Sequence, residues 1–228
     1  MGTKLTPIAL DIETTGFETD ATVTVVGFAL PLGCRILLAT GDRSVRATRL
    51  KDRLEDTFDV AIQVSAHRTE ANLLEAVTAF SAESIAPKEY MLVAYNGERY
   101  RNGFDLPFLR TRYALQDVDW PFVATPYADV MPIFQYRFNT VVDEEVVGDL
   151  ERVYAELVDG DLASLDPFET SAEAVTAFER GDFEALLAHN IADVLRTKAL
   201  ASIAERYCGK SEFRLKSLTP TIADSSLS

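Results

Sequence analysis

The feature that most constrains the fold is the spacing of three β-rich runs in the first forty residues. They are "PIALDIE" (7–13), "ATVTVVGFAL" (21–30) and "CRILLAT" (34–40). Their β-branched and alternating character favours a pleated, half-buried surface. Only "PLG" lies between the second and third, which predicts antiparallel pairing. "TTGF" follows the first run as a turn around Gly16. Further on, "YMLVAYN" (90–96) is apolar throughout, as a strand buried on both faces would be. Such a sheet needs helices packed on its faces.

The rest of the chain supplies candidates for those helices. Residues 41–68 read as charged and irregular, with a short strand at "DVAIQVSA". Thr69 or Asn72 opens a helix running to about Ser84, with Leu73, Leu74, Val77 and Phe80 as its buried face. "LPFLRTRYAL" reads as a helix with Pro107 in its first turn. "PYADVMPIF" reads as a strand or extended segment, and residues 144–158 as helical. "DPFE" and "TSAE" are both capping-box patterns, so a helix starts near Asp166 or Thr170. Gly181-Asp182 interrupts it, and a last helix runs from about Phe183 to Tyr207. "SLTPTIADSSLS" reads as a frayed tail. The organisation expected is one domain over residues 1–210 and a tail over 211–228.

Composition bounds the function classes. A chain of 228 residues with 47% hydrophobic content suits a single α/β domain. No apolar run is long enough for a membrane span, and no signal-peptide h-region opens the chain. Cys34 and Cys208 are far apart and read as idle thiols in a reducing cytoplasm. With only two histidines, His67 and His189, the chain is poorly supplied for zinc. The net charge is −14, with 36 acidic residues against 22 Lys and Arg. An acidic, soluble surface, or adaptation to high salt, accounts for that balance. It argues against non-specific duplex binding through a basic surface. It leaves a nucleic-acid substrate open, because cations and local Arg clusters can supply positive field.

Three stretches place acids where a core pattern calls for apolar residues. "LDIET" puts Asp11 and Glu13 on one strand face. "GFDLPFLRTR" puts Asp105 at a loop-to-helix junction. "LLAHNIADVLRT" puts His189 and Asp193 on one helix face at i, i+4. Each has an ordinary reading: a solvated turn, a helix N-cap, a satisfied core histidine and an exposed acid. Together they bring four carboxylates to one sheet edge. Two like charges ~4 Å apart repel by about 4 kcal/mol at an effective dielectric near 20. Either their pKa values rise or cations neutralise them. Oxygen ligands without thiolate favour Mg²⁺ or Mn²⁺, and paired divalent ions suit phosphodiester cleavage. A nearby histidine titrates near neutrality and can take a proton.

"LDIETTGF", "YNGERYRNGFDLPFLRTR" and "HNIADV" together resemble the three exonuclease motifs of the DEDD superfamily of 3′–5′ exonucleases. The pattern is most similar to the YprB-type, ribonuclease H-like branch, and it spans residues 8 to about 200. The resemblance implies an α/β, ribonuclease H-like mixed β-sheet of about five strands, one antiparallel, flanked by helices. It implies two Mg²⁺ or Mn²⁺ ions held by Asp11, Glu13, Asp105 and Asp193, with Asp11 bridging them. His189 would be the general base. Backbone around Thr14, Thr15 and Gly16 would approach the 3′-terminal nucleotide, and Phe17 would wedge against its base. Asn96 matches a position that shapes the loop or touches substrate. The separation of His189 from Asp193 is four positions, the spacing of the superfamily's tyrosine-type branch.

Basic residues divide into two groups. Arg43, Arg46, Arg49, Lys51 and Arg53 read as surface partners of neighbouring acids. Arg99, Arg101, Arg110 and Arg112 flank Asp105 and border the expected cleft, where they could hold phosphates. Tyr95, Tyr100 and Tyr113 could stack bases, but packing is the role that suits them better. The activity expected is 3′–5′ hydrolysis of single-stranded DNA or RNA, releasing nucleoside monophosphates. A non-catalytic nucleic-acid-binding module and a metal-dependent phosphatase remain open. The choice between DNA and RNA rests on contacts to the 2′-OH that no motif fixes.

Overall fold

A computed structural model describes residues 5–98, 103–158 and 160–221 of the chain. The first half comprises β1 (Thr6–Thr14), β2 (Val23–Leu30), β3 (Gly33–Ala39), α1 (Ala47–Phe58), β4 (Ile62–His67), α2 (Glu70–Phe80) and β5 (Tyr90–Ala94). The second comprises α3 (Asp105–Gln116), β6 (Pro126–Asp129), α4 (Met131–Arg137), β7 (Val141–Val142), β8 (Glu145–Val146), α5 (Leu150–Leu157), α6 (Leu162–Leu165), α7 (Ser171–Arg180), α8 (Phe183–Tyr207) and β9 (Lys216–Ser217).

Seven of the strands form one mixed sheet in the order β4-β3-β2-β1-β5-β6-β9, and β7 with β8 makes a separate hairpin. β2 runs antiparallel to β1 and β3, and β9 antiparallel to β6. The remaining neighbours in the sheet are parallel. The sheet therefore exceeds the expected five strands and holds two reversed strands rather than one. The additional reversed strand, β9, is two exposed residues long and lies beyond residue 210. Its pairing is a backbone event that leaves no side-chain pattern to read. Leu218 beyond it is buried, and its carbonyl accepts the Trp120 indole N–H at 3.1 Å.

The two faces of the sheet are both covered. On one, α8 packs Leu186, Leu187, Ile191 and Val194 against Ala9, Val25, Ile36 and Val93. On the other, Leu73, Leu74 and Val77 of α2 and Leu106, Leu109 and Tyr113 of α3 meet Ile8, Leu10, Val26, Leu37 and Leu92. Side chains of β1 alternate between these faces, as a period of two requires. No helix of the described residues is long and apolar enough to cross a membrane.

Several local expectations change. Residues 47–58 form a 12-residue helix, not an irregular stretch. Its apolar stripe is only Leu50, Leu54 and Phe58, too narrow to stand out among charges. "PYADVMPIF" is a strand only to Asp129, because the Asp129 carboxylate accepts the Met131 N–H at 3.1 Å and Pro132 sits in the first turn of α4. In 144–158 the helix begins at Leu150, capped by Asp149, and a hairpin precedes it. Thr170, not Asp166, takes the N-cap of α7, its N–H donating to the Glu173 carboxylate at 3.3 Å. Gly181, at φ 75°, ends α7 in the left-handed conformation that suits glycine. Asp182 then caps α8.

Candidate metal centre

Parity along β1 builds the first part of the site. Ile8, Leu10 and Ile12 go to the α2–α3 face, and Ala9 to the α8 face. Asp11 and Glu13 continue the row of Ala9, towards α8. α8 meets them with His189, Asn190 and Asp193. Asp105 arrives from elsewhere: it is the first residue of α3, and Phe104, not Asp105, holds the N-cap position. Asp105 is nevertheless buried, at 9% exposure, so its carboxyl is not a solvated cap.

These groups line one cavity of about 410 Å³. Asp11, Glu13, Asp105, His189 and Asp193 contribute to its wall, together with Thr14, Thr15, Gly16 and Phe17. Thr14 Oγ1 donates to the Gly16 carbonyl at 2.8 Å and Thr15 Oγ1 accepts the Thr22 N–H at 2.9 Å, which fixes the turn. Phe17 stands 77% exposed at the rim, with its ring edge-on to Phe104 at 5.2 Å.

The electrostatics follow from burying acids together. Burial first, then the charges of Asp105, Glu13 and Asp193, hold the Asp11 carboxyl well above the usual carboxylate range. Burial likewise raises Asp105 strongly, helped by Asp129, Glu13 and Asp193. Glu13 is pushed up to about 8, chiefly by burial, although the His189 charge opposes it. Asp193 is raised by burial against the pull of His189 and Arg196. An unscreened set of this kind favours protons or cations.

Residues that escaped the sequence reading hold this set in place. Asn190 is fully buried and donates to Asp11 Oδ2 at 2.8 Å. It packs against Gly27 of β2, the register partner of Asp11. Asp166 lies behind His189, with Oδ1 2.8 Å from Nδ1. Arg196 Nη1 stands 2.6 Å from both Asp166 Oδ2 and Asp193 Oδ1. His189 Nε2 is 4.0 Å from Glu13 Oε1 and 3.8 Å from Asp193 Oδ2. Burial lowers the His189 pKa, but the hydrogen bond to Asp166 and the charges of Asp193, Glu13 and Asp166 outweigh it and push it up to about 9. Asn190 had a signal in its place between His189 and Asp193. Asp166 and Arg196 had none beyond being polar residues near or within helices.

One ligand atom each from Asp166, His189 and Asp193 lies within 4.8 Å of the others, so this trio could hold a metal ion.

Other expected site residues fall outside the cavity. Arg110 pairs with Glu98 at 2.8 Å and lies over the Trp120 ring at 5.6 Å. Arg112 is buried in a two-pronged pair with Glu70, at 2.8 and 2.7 Å. It therefore braces the fold and is not placed to meet a phosphate. Asn96 takes a positive φ of 63°, its N–H donates to Asp129 at 2.9 Å and its carbonyl accepts the Phe104 N–H, so its backbone links Asp129 to the start of α3. The hydroxyls of Tyr95 and Tyr113 donate to the Gly148 and Leu74 carbonyls, which are packing roles. Arg99, Tyr100 and Arg101 lie outside the described residues. Of the more distant basic group, Lys51 and Arg53 pair with acids, and Arg43 stacks on Phe178 and Phe183.

No protein-family model matches the chain, and no curated protein matches it.

Proposed function

We propose that the chain is a metal-dependent 3′–5′ exonuclease of the DEDD superfamily, with a ribonuclease H-like fold, acting on single-stranded DNA or RNA. The observation that carries this reading is the convergence of Asp11, Glu13, Asp105, Asp193 and His189 on one cavity, from β1, α3 and α8. The free thiols of Cys34 and Cys208 suit a cytoplasmic setting.

The donor set fits hard divalent cations. Its oxygens come from carboxylates, no thiolate of the described residues lines the cavity, and the raised pKa values mark buried acidic groups whose negative charge cations would offset. Asp11, Glu13, Asp105 and Asp193 would hold two Mg²⁺ or Mn²⁺ ions. When bound, such ions neutralise charge developing on phosphate oxygens and make water more acidic. The chain's own residues do the rest. His189, once the Glu13 and Asp193 charges that raise its pKa are offset, accepts the proton of the attacking water at Nε2. Backbone at Thr14 to Gly16 lies along the cavity wall, within reach of a terminal nucleotide. Phe17 offers a ring for the last base to stack on.

The test uses 5′-labelled single-stranded DNA and RNA of matched sequence, with Mn²⁺ or Mg²⁺, in low and molar KCl. A ladder shortening from the 3′ end, abolished by EDTA and by Asp11→Ala, supports the reading. Intact oligonucleotides under every condition, with folded protein, reject it.

A further inference from the structure

The segment between α6 and α7 places one carboxylate directly behind His189. Asp166 Oδ1 lies 2.8 Å from His189 Nδ1 and also accepts the Phe168 N–H at 3.1 Å. Asp166 Oδ2 accepts Arg196 Nη1 at 2.6 Å. Two N–H donors and the imidazole Nδ1 therefore converge on a side chain that is 2% exposed. An ionised carboxylate can only accept, so the ring proton at this contact sits on Nδ1. That leaves Nε2 facing the cavity, on the side of Glu13 and Asp193. The Phe168 ring packs on the imidazole with centroids 5.4 Å apart, which limits its freedom to turn.

From this geometry we propose that Asp166 is the positioning residue of His189. It holds a proton on Nδ1 and turns Nε2 to the carboxylate cavity, with Arg196 bracing the pair. The use made of Nε2 rests on the exonuclease reading; the position of the Nδ1 proton does not. The competing role for Asp166 is ligation of a metal together with His189 and Asp193. Arg196 argues against it, because its Nη1 already occupies the cation position between the two carboxylates, 2.6 Å from each. Coordination by Nδ1 would also require that nitrogen to give up its proton.

Because His67 is the only other histidine in the sequence, His67→Gln leaves a single imidazole to observe. The full chain with this change, labelled with ¹⁵N in the histidine ring, is examined by NMR alone and with Asp166→Ala. The expected result is a protected proton on Nδ1 that disappears in Asp166→Ala. In the same pair of proteins Mn²⁺ affinity and KM should stay unchanged while kcat falls by roughly 10–100-fold. An unprotonated Nδ1 in the protein that retains Asp166 overturns the proposal whether or not the alanine variant folds. Loss of Mn²⁺ binding in folded Asp166→Ala overturns it in favour of ligation. A protected Nδ1–H in a protein that hydrolyses nothing would uphold the positioning role and reject the exonuclease reading.

Discussion

Gly27 leaves the space that Asn190 fills: a Cβ on Gly27 would lie 1.9 Å from Asn190 Oδ1. Asn190 in turn holds Asp11, so a glycine on β2 sets the position of a carboxylate on β1. Gly27→Ala should cost about 1–3 kcal/mol by overpacking and weaken Mn²⁺ binding by displacing Asn190. The loss in the Gly27→Ala, Asn190→Ala double variant should be smaller than the sum of the single losses, because the clash and its target share a site. Urea denaturation with Mn²⁺ titration checks this, and strict additivity would contradict it.

Stability should depend on pH in a direction the buried acids dictate. Glu13 moves from an ordinary value of 4.5 to about 8 on folding. Between those values the folded chain binds more protons than the unfolded one. The contribution is therefore complete below the unfolded value and is lost as pH rises through the folded one. Asp11, Asp105 and Asp193 shift in the same direction. His189, raised from 6.5 to about 9, adds stability that is also lost on alkalinisation. Asp166 opposes them: its carboxyl is lowered by His189 and Arg196 despite burial, so its contribution is lost in acid. In EDTA the melting temperature should fall between roughly pH 5 and pH 9, and Mg²⁺ or Mn²⁺ should restore much of the loss. A flat profile that divalent ions do not move would contradict this.

Arg112 should prove structural. It and Glu70 are each 7% exposed, and Glu70 Oε1 also accepts the Val23 N–H at 2.8 Å. Removing one partner strands the other. Arg112→Ala should lower stability by about 3–5 kcal/mol, and Arg112→Lys should recover only part, since lysine cannot reproduce the fork. Mn²⁺ affinity per folded molecule should not change. A large loss of affinity with normal stability would return Arg112 to the site.

Phe17 should do the opposite. Its ring is mostly exposed and touches Phe104 only edge-on, so Phe17→Ala should leave stability within about 0.5 kcal/mol. If the ring stacks on a terminal base, single-strand affinity should fall by about 1–3 kcal/mol. Fluorescence anisotropy with Ca²⁺ in place of Mg²⁺ measures this, and unchanged affinity would remove the wedge role.

What could be read from sequence divides by the kind of signal. Strands β1, β2, β3 and β5 and helix α8 announced themselves because strong apolar patterning fixed both type and face. The cavity acids stood out because each broke such a pattern. α1 was hidden by a narrow stripe of Leu50, Leu54 and Phe58, and β9 by having only two residues. The supports of the site were hidden for a different reason. Asp166 meets His189 across 23 positions and Gly27 of β2 meets Asn190 of α8, so each pairing exists only after folding. Arg112 misled because proximity to Asp105 in sequence says nothing about which face of α3 it takes.

A Mn²⁺ titration followed by electron paramagnetic resonance, on the parent chain, Asp11→Asn and Asp166→Asn, tests the carboxylate metal centre itself. Two ions should bind per chain, both weakened by Asp11→Asn and neither by Asp166→Asn. Absence of binding, or binding abolished by Asp166→Asn and untouched by Asp11→Asn, would contradict it.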